Sequence, residues 1–95
     1  NKPNRIMAAI ITPVGRIADI TPGNKRFFAR AELYELVGTD NPTVTPITLH
    51  GRRMAFVHSA DNNQKNPIAS ELFRLAKGGG FLNGNVIVCK ACEII

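Results

Sequence analysis

Apolar positions along the chain fall into short runs and stripes that turn residues separate. The first run, Ile6–Ile11, is continuous, as is typical of a strand covered on both faces. Residues 16–20 alternate between polar and apolar side chains, which indicates a half-exposed strand. Turn residues at positions 13–15 lie between the two runs and predict that they form a hairpin.

A first helix is predicted within residues 27–38. Ala29, Leu33 and Val37 recur there at helical spacing, with Phe28 just before them. Gly38 follows the last of these residues, where glycine commonly ends a helix.

Residues 43–49 form a β-branched run that Pro46 interrupts. Because proline cannot donate a hydrogen bond to a neighbouring strand, this run is expected to be an edge strand or to contain a bulge. A two-residue loop, His50 and Gly51, joins it to a further strand at Arg53–Val57. The polar segment 58–65 is expected to be a mobile surface loop.

The Asn66-Pro67 pair predicts the start of a second helix, since Asn is a good N-cap and Pro is favoured at the first helical position. The stripe predicted to be buried consists of Ile68, Leu72, Leu75 and Ala76, with Ala69 and Phe73 beside it. Glycines 78–80 end this helix, Asn83-Gly84 predicts a tight turn, and residues 85–95 predict the last strand.

The element order is therefore ββαββαβ. It indicates a single α+β domain over residues 1–95, in two layers, with a mainly antiparallel sheet and both helices on one face. Hydrophobic residues make up 44% and charged residues 20% of the 95 positions, which is ordinary globular usage and excludes disordered and fibrous classes. No apolar run is long enough to cross a bilayer. The first residue is Asn, so we expect that a start codon or leader has been removed.

The C-terminal third contains the motifs that most resemble those of phosphate, metal or redox sites. A phosphate loop needs glycines before a helix, whereas glycines 78–80 follow one and precede a strand, so they are expected only to end the helix. Cys89 and Cys92 lie three apart in a predicted strand and should point to opposite faces, so neither a metal site nor a redox site is expected. Two cysteines make no disulfide framework, which favours a reducing, cytoplasmic setting.

No catalytic residue, metal ligand or cofactor site is predicted. Ser59 is adjacent to His58 in sequence, but adjacency does not supply an oriented nucleophile, base and third group. Ser70 lies inside a predicted helix, and the carboxylates are scattered over separate elements. We therefore expect a protein that is not an enzyme.

The charge of the chain suggests a different kind of site, one that binds nucleic acid. Twelve Lys and Arg against seven Asp and Glu give 12 − 7 = +5, with a pI near 9.8. Basic residues interleaved with aromatics can grip phosphate while a base stacks. The candidate nucleic-acid residues are Lys25, Arg26, Phe27, Arg30, Arg52 and Arg53. The competing interpretation is that one phenylalanine enters the core and the charges are solvated, with Arg52 and Arg53 on opposite faces of their strand.

Several motifs of the chain stand out together: MAFVHSAD, NPIASELFRLAK, FLNGNVIVC, ELVG at Glu35–Gly38 and the Gly84-x-x-x-Val88 spacing. They resemble a small uncharacterised domain family of phage and mobile-element genes. The resemblance covers about two thirds of the chain. It implies an accessory protein of a bacterial virus, plasmid or gene cassette that acts by binding, and it carries no catalytic residues.

Three functional hypotheses follow. The first is a protein-interaction module that binds a host protein or another copy of itself, with Cys92, Ile94 and Ile95 as candidate interface residues on a strand that reaches the last residue. The second is a nucleic-acid-binding protein that uses the basic residues above. The third is a regulator that binds a small molecule or nucleotide between residues 59–65 and the glycines.

Overall fold

The computed structural model describes residues 8–23, 27–39, 42–49, 51–59, 64–77 and 81–94. The strands and helices follow the predicted order ββαββαβ, and a short 3₁₀ helix comes after the last strand. The elements are β1 (Ala9–Ile11), β2 (Ile17–Asp19), α1 (Arg30–Val37), β3 (Pro42–Leu49), β4 (Arg52–Ser59), α2 (Pro67–Lys77), β5 (Val86–Lys90) and the 3₁₀ helix Ala91–Glu93.

The strands form one five-stranded antiparallel sheet in the order β2-β1-β5-β4-β3. Strands β1 and β2 form the predicted hairpin, and β3 and β4 form another. The strand β5 lies between the hairpins, where Ile87 is the register partner of Ile10 on β1 and of Val57 on β4. The last strand in the chain is therefore the centre of the sheet.

The two helices pack on opposite faces of the sheet, so the prediction of two layers with both helices on one face is wrong. Leu33 and Val37 of α1 share a buried cluster with Ala55 and Val57 of β4. Successive strand residues point to opposite faces, and Phe56, which lies between Ala55 and Val57, belongs to a second cluster with α2. The unbroken apolar run in β4 needs cover on both faces, which two helices on one side could not supply.

Strand β3 lies at the edge of the sheet, as Pro46 predicted. Among the residues that the structure describes, its pairing is with β4, from Pro42 opposite Ser59 to Leu49 opposite Arg52. Proline lacks a backbone N–H donor. In an edge strand this costs at most one hydrogen bond with the single neighbouring strand, so the sheet tolerates Pro46 here.

Helix α1 ends as expected and begins without a side-chain cap. Gly38 has φ 81° and donates its N–H to the carbonyl of Tyr34 at 2.8 Å. Ala29, at the N-cap, has no side-chain acceptor, so Glu32 supplies the polar contacts of the first turn. Its carboxylate accepts N–H groups from Ala29 at 3.1 Å and from Gly23 at 2.7 Å.

Helix α2 begins at the predicted cap. The Oδ1 atom of the fully buried Asn66 accepts the N–H of Ala69 at 3.1 Å, and its Nδ2 donates to the carbonyls of Ile11 at 2.9 Å and Gly84 at 2.8 Å. Gly84, with φ 72°, also donates its N–H to Gln64. Asn83-Gly84, predicted as a tight turn, is thus a bend at which the buried Gly84 joins the start of α2 through hydrogen bonds with Gln64 and Asn66.

None of the helices in the described part of the chain combines the length and the apolarity needed to span a membrane.

Candidate interaction surfaces

Helix α2 carries an exposed row of large aliphatic side chains. Ile68, Leu72 and Leu75 occur at the i, i+4, i+7 spacing of one helix side, and 39%, 42% and 66% of their surfaces remain accessible. These are three of the residues predicted to form the buried stripe. That prediction is wrong for them, and the side chain of Ala76, the fourth, lies outside the described residues.

The side of α2 that faces the sheet is centred on Ala69 and Phe73 instead. Ala69 is fully buried, and the ring of Phe73 meets that of Phe56 edge-on at 5.4 Å between centroids. The apolar arc of α2 is wider than the strip that the sheet can cover, so one side of the arc remains in solvent.

The exposed row continues onto the β1–β2 turn. The Cδ1 atom of Ile68 lies 3.6 Å from the place where a Cβ on Gly15 would be. Ile17, on the other side of Gly15, is exposed and is the register partner of Ile11, whose side chain packs with α2, so both lie on the same face of the sheet. Val14 at the turn is also exposed. We call Val14, Ile17, Ile68, Leu72 and Leu75 the apolar flank.

An ion pair lies on the outer side of α2, next to the apolar flank. The guanidinium of Arg74 donates from Nη2 to Oε2 of Glu71 at 2.6 Å and from Nε to Oε1 at 3.2 Å. The hydrogen bond from Arg74 lowers the pKa of the Glu71 carboxyl. The two charges cancel locally, so this border presents little net charge to an approaching surface.

Basic residues gather at the opposite end of the sheet. Arg52 and Arg53 are the first residues of β4, and both are exposed. Lys90, the last residue of β5, is the register partner of Met54. Because the two strands are antiparallel, the start of β4 and the finish of β5 lie side by side.

Arg30, the first residue of α1, lies at the same end. The amide of Asn85, just before β5, donates to the carbonyl of Leu36 at 3.3 Å, which places the C-terminus of α1 beside the start of β5. Phe28, just before α1, forms a backbone bridge with Ile94, beyond the finish of β5. The helix start is therefore at the end where Lys90 lies. We call Arg30, Arg52, Arg53 and Lys90 the basic end.

The structure brings three of the candidate nucleic-acid residues, Arg30, Arg52 and Arg53, to one end of the sheet. Arg52 and Arg53 still point to opposite faces, as expected of neighbours in a strand. Phe28 is fully buried and Phe27 half-buried, which matches the interpretation in which one phenylalanine enters the core. Lys25 and Arg26 lie outside the described residues.

The sequence did not identify Lys90 as a candidate, because strand register is what brings it to the basic end. It is an isolated cation near the C-terminus in sequence, and only its pairing beside Met54 brings it close to the arginines of β4. The sequence did not identify Val14 and Ile17 as part of this surface for a similar reason, since their closeness to α2 depends on how the Ile68 side chain approaches the turn at Gly15.

The closing residues do not continue β5 as an extended strand. The strand ends at Lys90, a 3₁₀ helix follows, and Ile94 pairs with Phe28 and packs against the α1-side core. Ile94 is thus engaged within its own chain and is not available to add to a second sheet. Cys92 is exposed, and Ile95 lies outside the described residues.

The two thiols are in different environments. Cys89 is buried beside Ala55 on the α1 side of the sheet, Cys92 is exposed, and they are not joined in a disulfide. Within the described ranges, no group of three or more His, Cys, Asp or Glu side chains is arranged to hold a metal ion. Residues 60–63 and glycines 78–80, which the small-molecule hypothesis invokes, lie outside the described residues.

Comparisons of the chain with protein-family models, with curated proteins and with solved structures found no match.

Proposed function

We propose that this domain is a protein-interaction module that acts by binding, and that the apolar flank is its contact surface. The partner we propose is a second copy of the same chain. The resemblance to phage and mobile-element proteins supports a role as an accessory protein of such an element. The observation that carries the proposal is the exposure of Ile68, Leu72 and Leu75 in one row on α2.

The apolar flank is costly to leave in water. Burial of one Leu or Ile side chain contributes about 1.5–3 kcal/mol, and these side chains already lose part of their surface to neighbours. Monomeric proteins rarely expose contiguous apolar patches of large size, and such patches commonly mark interfaces. Burial of the row by a partner would therefore contribute several kcal/mol of favourable free energy, before the cost of association is subtracted.

A second copy suits this surface. A row of aliphatic residues at helical spacing can pack against the same row of another helix about a twofold axis, because the patch is then complementary to itself. The adjacent Glu71–Arg74 pair is internally neutral and does not repel its own copy. Arg16, between Val14 and Ile17 in the chain, is an exposed cation whose repulsion from its own copy is screened by salt.

The sheet edges are poorer candidates for association. Edge strand β3 contains Pro42 and Pro46, which cannot donate backbone hydrogen bonds, and edge strand β2 is only three residues long. Short strands and prolines are the features by which edges avoid pairing with other chains. Association through side chains of the apolar flank is therefore favoured over strand addition.

Sedimentation equilibrium from low to high micromolar concentration tests the proposal. The wild-type chain should be a dimer, and Leu72→Lys should be a monomer with an unchanged circular dichroism spectrum. The matched control is Val44→Lys, because Val44 is 44% exposed, close to the 42% of Leu72, and lies on the opposite face of the sheet. The control should remain a dimer. A wild-type chain that stays monomeric throughout, or a control that dissociates as much as Leu72→Lys, would contradict the proposal.

A further inference from the structure

We propose that the basic end is a binding surface for the phosphate backbone of nucleic acid, separate from the apolar flank. The basis is that the fold brings Arg30, Arg52, Arg53 and Lys90 to one end of the sheet although they are far apart in sequence. Three elements, α1, β4 and β5, contribute to this surface.

The two faces of the sheet both contribute cations at this end. Lys90 and Arg52 lie on the α2 side, since Lys90 is opposite Met54 and Arg52 is two residues before Met54 on the same strand. Arg53 lies on the α1 side, which is also the side of Arg30. The charges therefore extend around the end of the sheet and do not form a single point site.

The stability of α1 does not account for the position of Arg30. Arg30 is at the first position of α1, where the helix dipole disfavours a cation. Arg30 and Arg53 make no ion pair with the residues that the structure describes. The nearest carboxylate on α1, Glu32, uses both oxygens for the backbone N–H groups of Gly23 and Ala29.

The chemistry of the side chains favours phosphate groups as ligands. Three of the four cations are arginines, whose planar guanidinium groups bind phosphate in a bidentate manner. Cations spread over an end of the domain match a chain of regularly spaced phosphates better than they match one small anion. The overall charge of +5 adds a long-range attraction for the same partner. We expect binding without sequence preference, because contacts to the phosphate backbone carry no sequence information.

The test is fluorescence anisotropy with labelled single-stranded DNA, single-stranded RNA and duplex DNA, at a low and at a near-physiological salt concentration. Binding should weaken as salt rises, through release of counterions. The double variant Arg30→Gln/Arg53→Gln should bind about tenfold more weakly at low salt and should reduce the slope of log affinity against log salt by about 1.4–1.8 for two lost phosphate contacts.

The matched control is Arg16→Gln/Lys65→Gln. It removes the same charge from two exposed residues at the opposite end of the sheet, where Arg16 belongs to the β1–β2 turn and Lys65 bridges Asn83. It should change the affinity less than twofold. Absence of binding at low salt would overturn the proposal. Equal weakening by both double variants would overturn the placement at the basic end, and binding of polyglutamate as tight as that of the nucleic acids would overturn the choice of ligand.

Discussion

The side-chain amide of Asn66 donates to the carbonyl of Gly84 at 2.8 Å and so ties the start of α2 to the segment that enters β5. The same amide reaches the carbonyl of Ile11 on β1 at 2.9 Å. One buried side chain thus connects a helix and two neighbouring strands of the sheet.

We predict that Asn66→Ala destabilises the domain by about 3 kcal/mol, because it removes the N-cap and two donors to buried carbonyls. Urea denaturation monitored by circular dichroism measures the change. Asn66→Asp keeps the acceptor for Ala69 but directs a carboxylate at the two carbonyls, so it should cost at least as much at neutral pH. Wild-type stability of Asn66→Asp would show that the cap alone matters.

Two neighbouring residues of α2 test which side of the helix is buried. Phe73→Ala should cost about 3–5 kcal/mol, because Phe73 is 9% exposed and packs on Phe56. Leu72→Ala should cost less than about 1 kcal/mol when measured at a concentration where the chain is monomeric. The comparison uses equilibrium denaturation of both variants. Similar losses for the two would contradict the orientation of α2.

His58 should make the stability depend on pH. Its ring lies between Thr45, whose Oγ1 is 3.1 Å from Nε2, and the ring of Phe73. Burial lowers the pKa of His58 below its ordinary value of 6.5, against a smaller opposing effect of a backbone hydrogen bond with Ser59. The unfolded chain therefore binds the proton more readily than the folded chain does, and the stabilisation is complete above pH 6.5 and is lost as the pH falls toward the folded pKa.

The measurement for His58 is the free energy of unfolding of wild type and His58→Gln at several pH values between 5 and 7.5, a range that brackets the ordinary histidine pKa. Gln retains an amide that can bond Thr45 but does not titrate. The wild type should lose stability relative to the variant as the pH falls. A constant difference across this range would exclude His58 as the source.

Gly38 tests the end of α1. At φ 81°, with no atom within 4 Å of an added Cβ, a substitution there meets strain in the backbone but no clash. Gly38→Ala should cost about 1–2 kcal/mol, and Gly38→Asn clearly less, because Asn tolerates the left-handed conformation better. Thermal unfolding of the two variants measures the order. Equal stability of all three proteins would contradict the left-handed cap.

Local signals in the sequence predicted the element order and several boundaries. Gly38 ends α1 and Asn66 caps α2, because these positions depend on backbone torsion and on short-range hydrogen bonds. Pro46 correctly indicated an edge strand, since its missing donor limits it to such places. These constraints act within a few residues, so they are visible without knowledge of the fold.

The placement of elements relative to each other was not visible in the same way. The apolar run in β4 is typical of a strand that is covered on both faces. It indicates a helix on each side of the sheet only once β4 is known to be an interior strand. The period of the apolar residues in α2 gives the width of its apolar arc, and the contact of Phe73 with Phe56 selects which part of that arc is buried. The basic end depends likewise on the register of β4 and β5.

The central place of β5 has a consequence for synthesis on the ribosome. The hairpins β1–β2 and β3–β4 are made first and can each form locally, but they share no strand pairing until Val86–Lys90 enters between them. In any hairpin that forms before then, the edge that β5 covers in the finished sheet is open and able to pair wrongly. Completion of the domain waits for one late, long-range insertion, which is a slow kind of step and the stage at which a chaperone would have the most to protect.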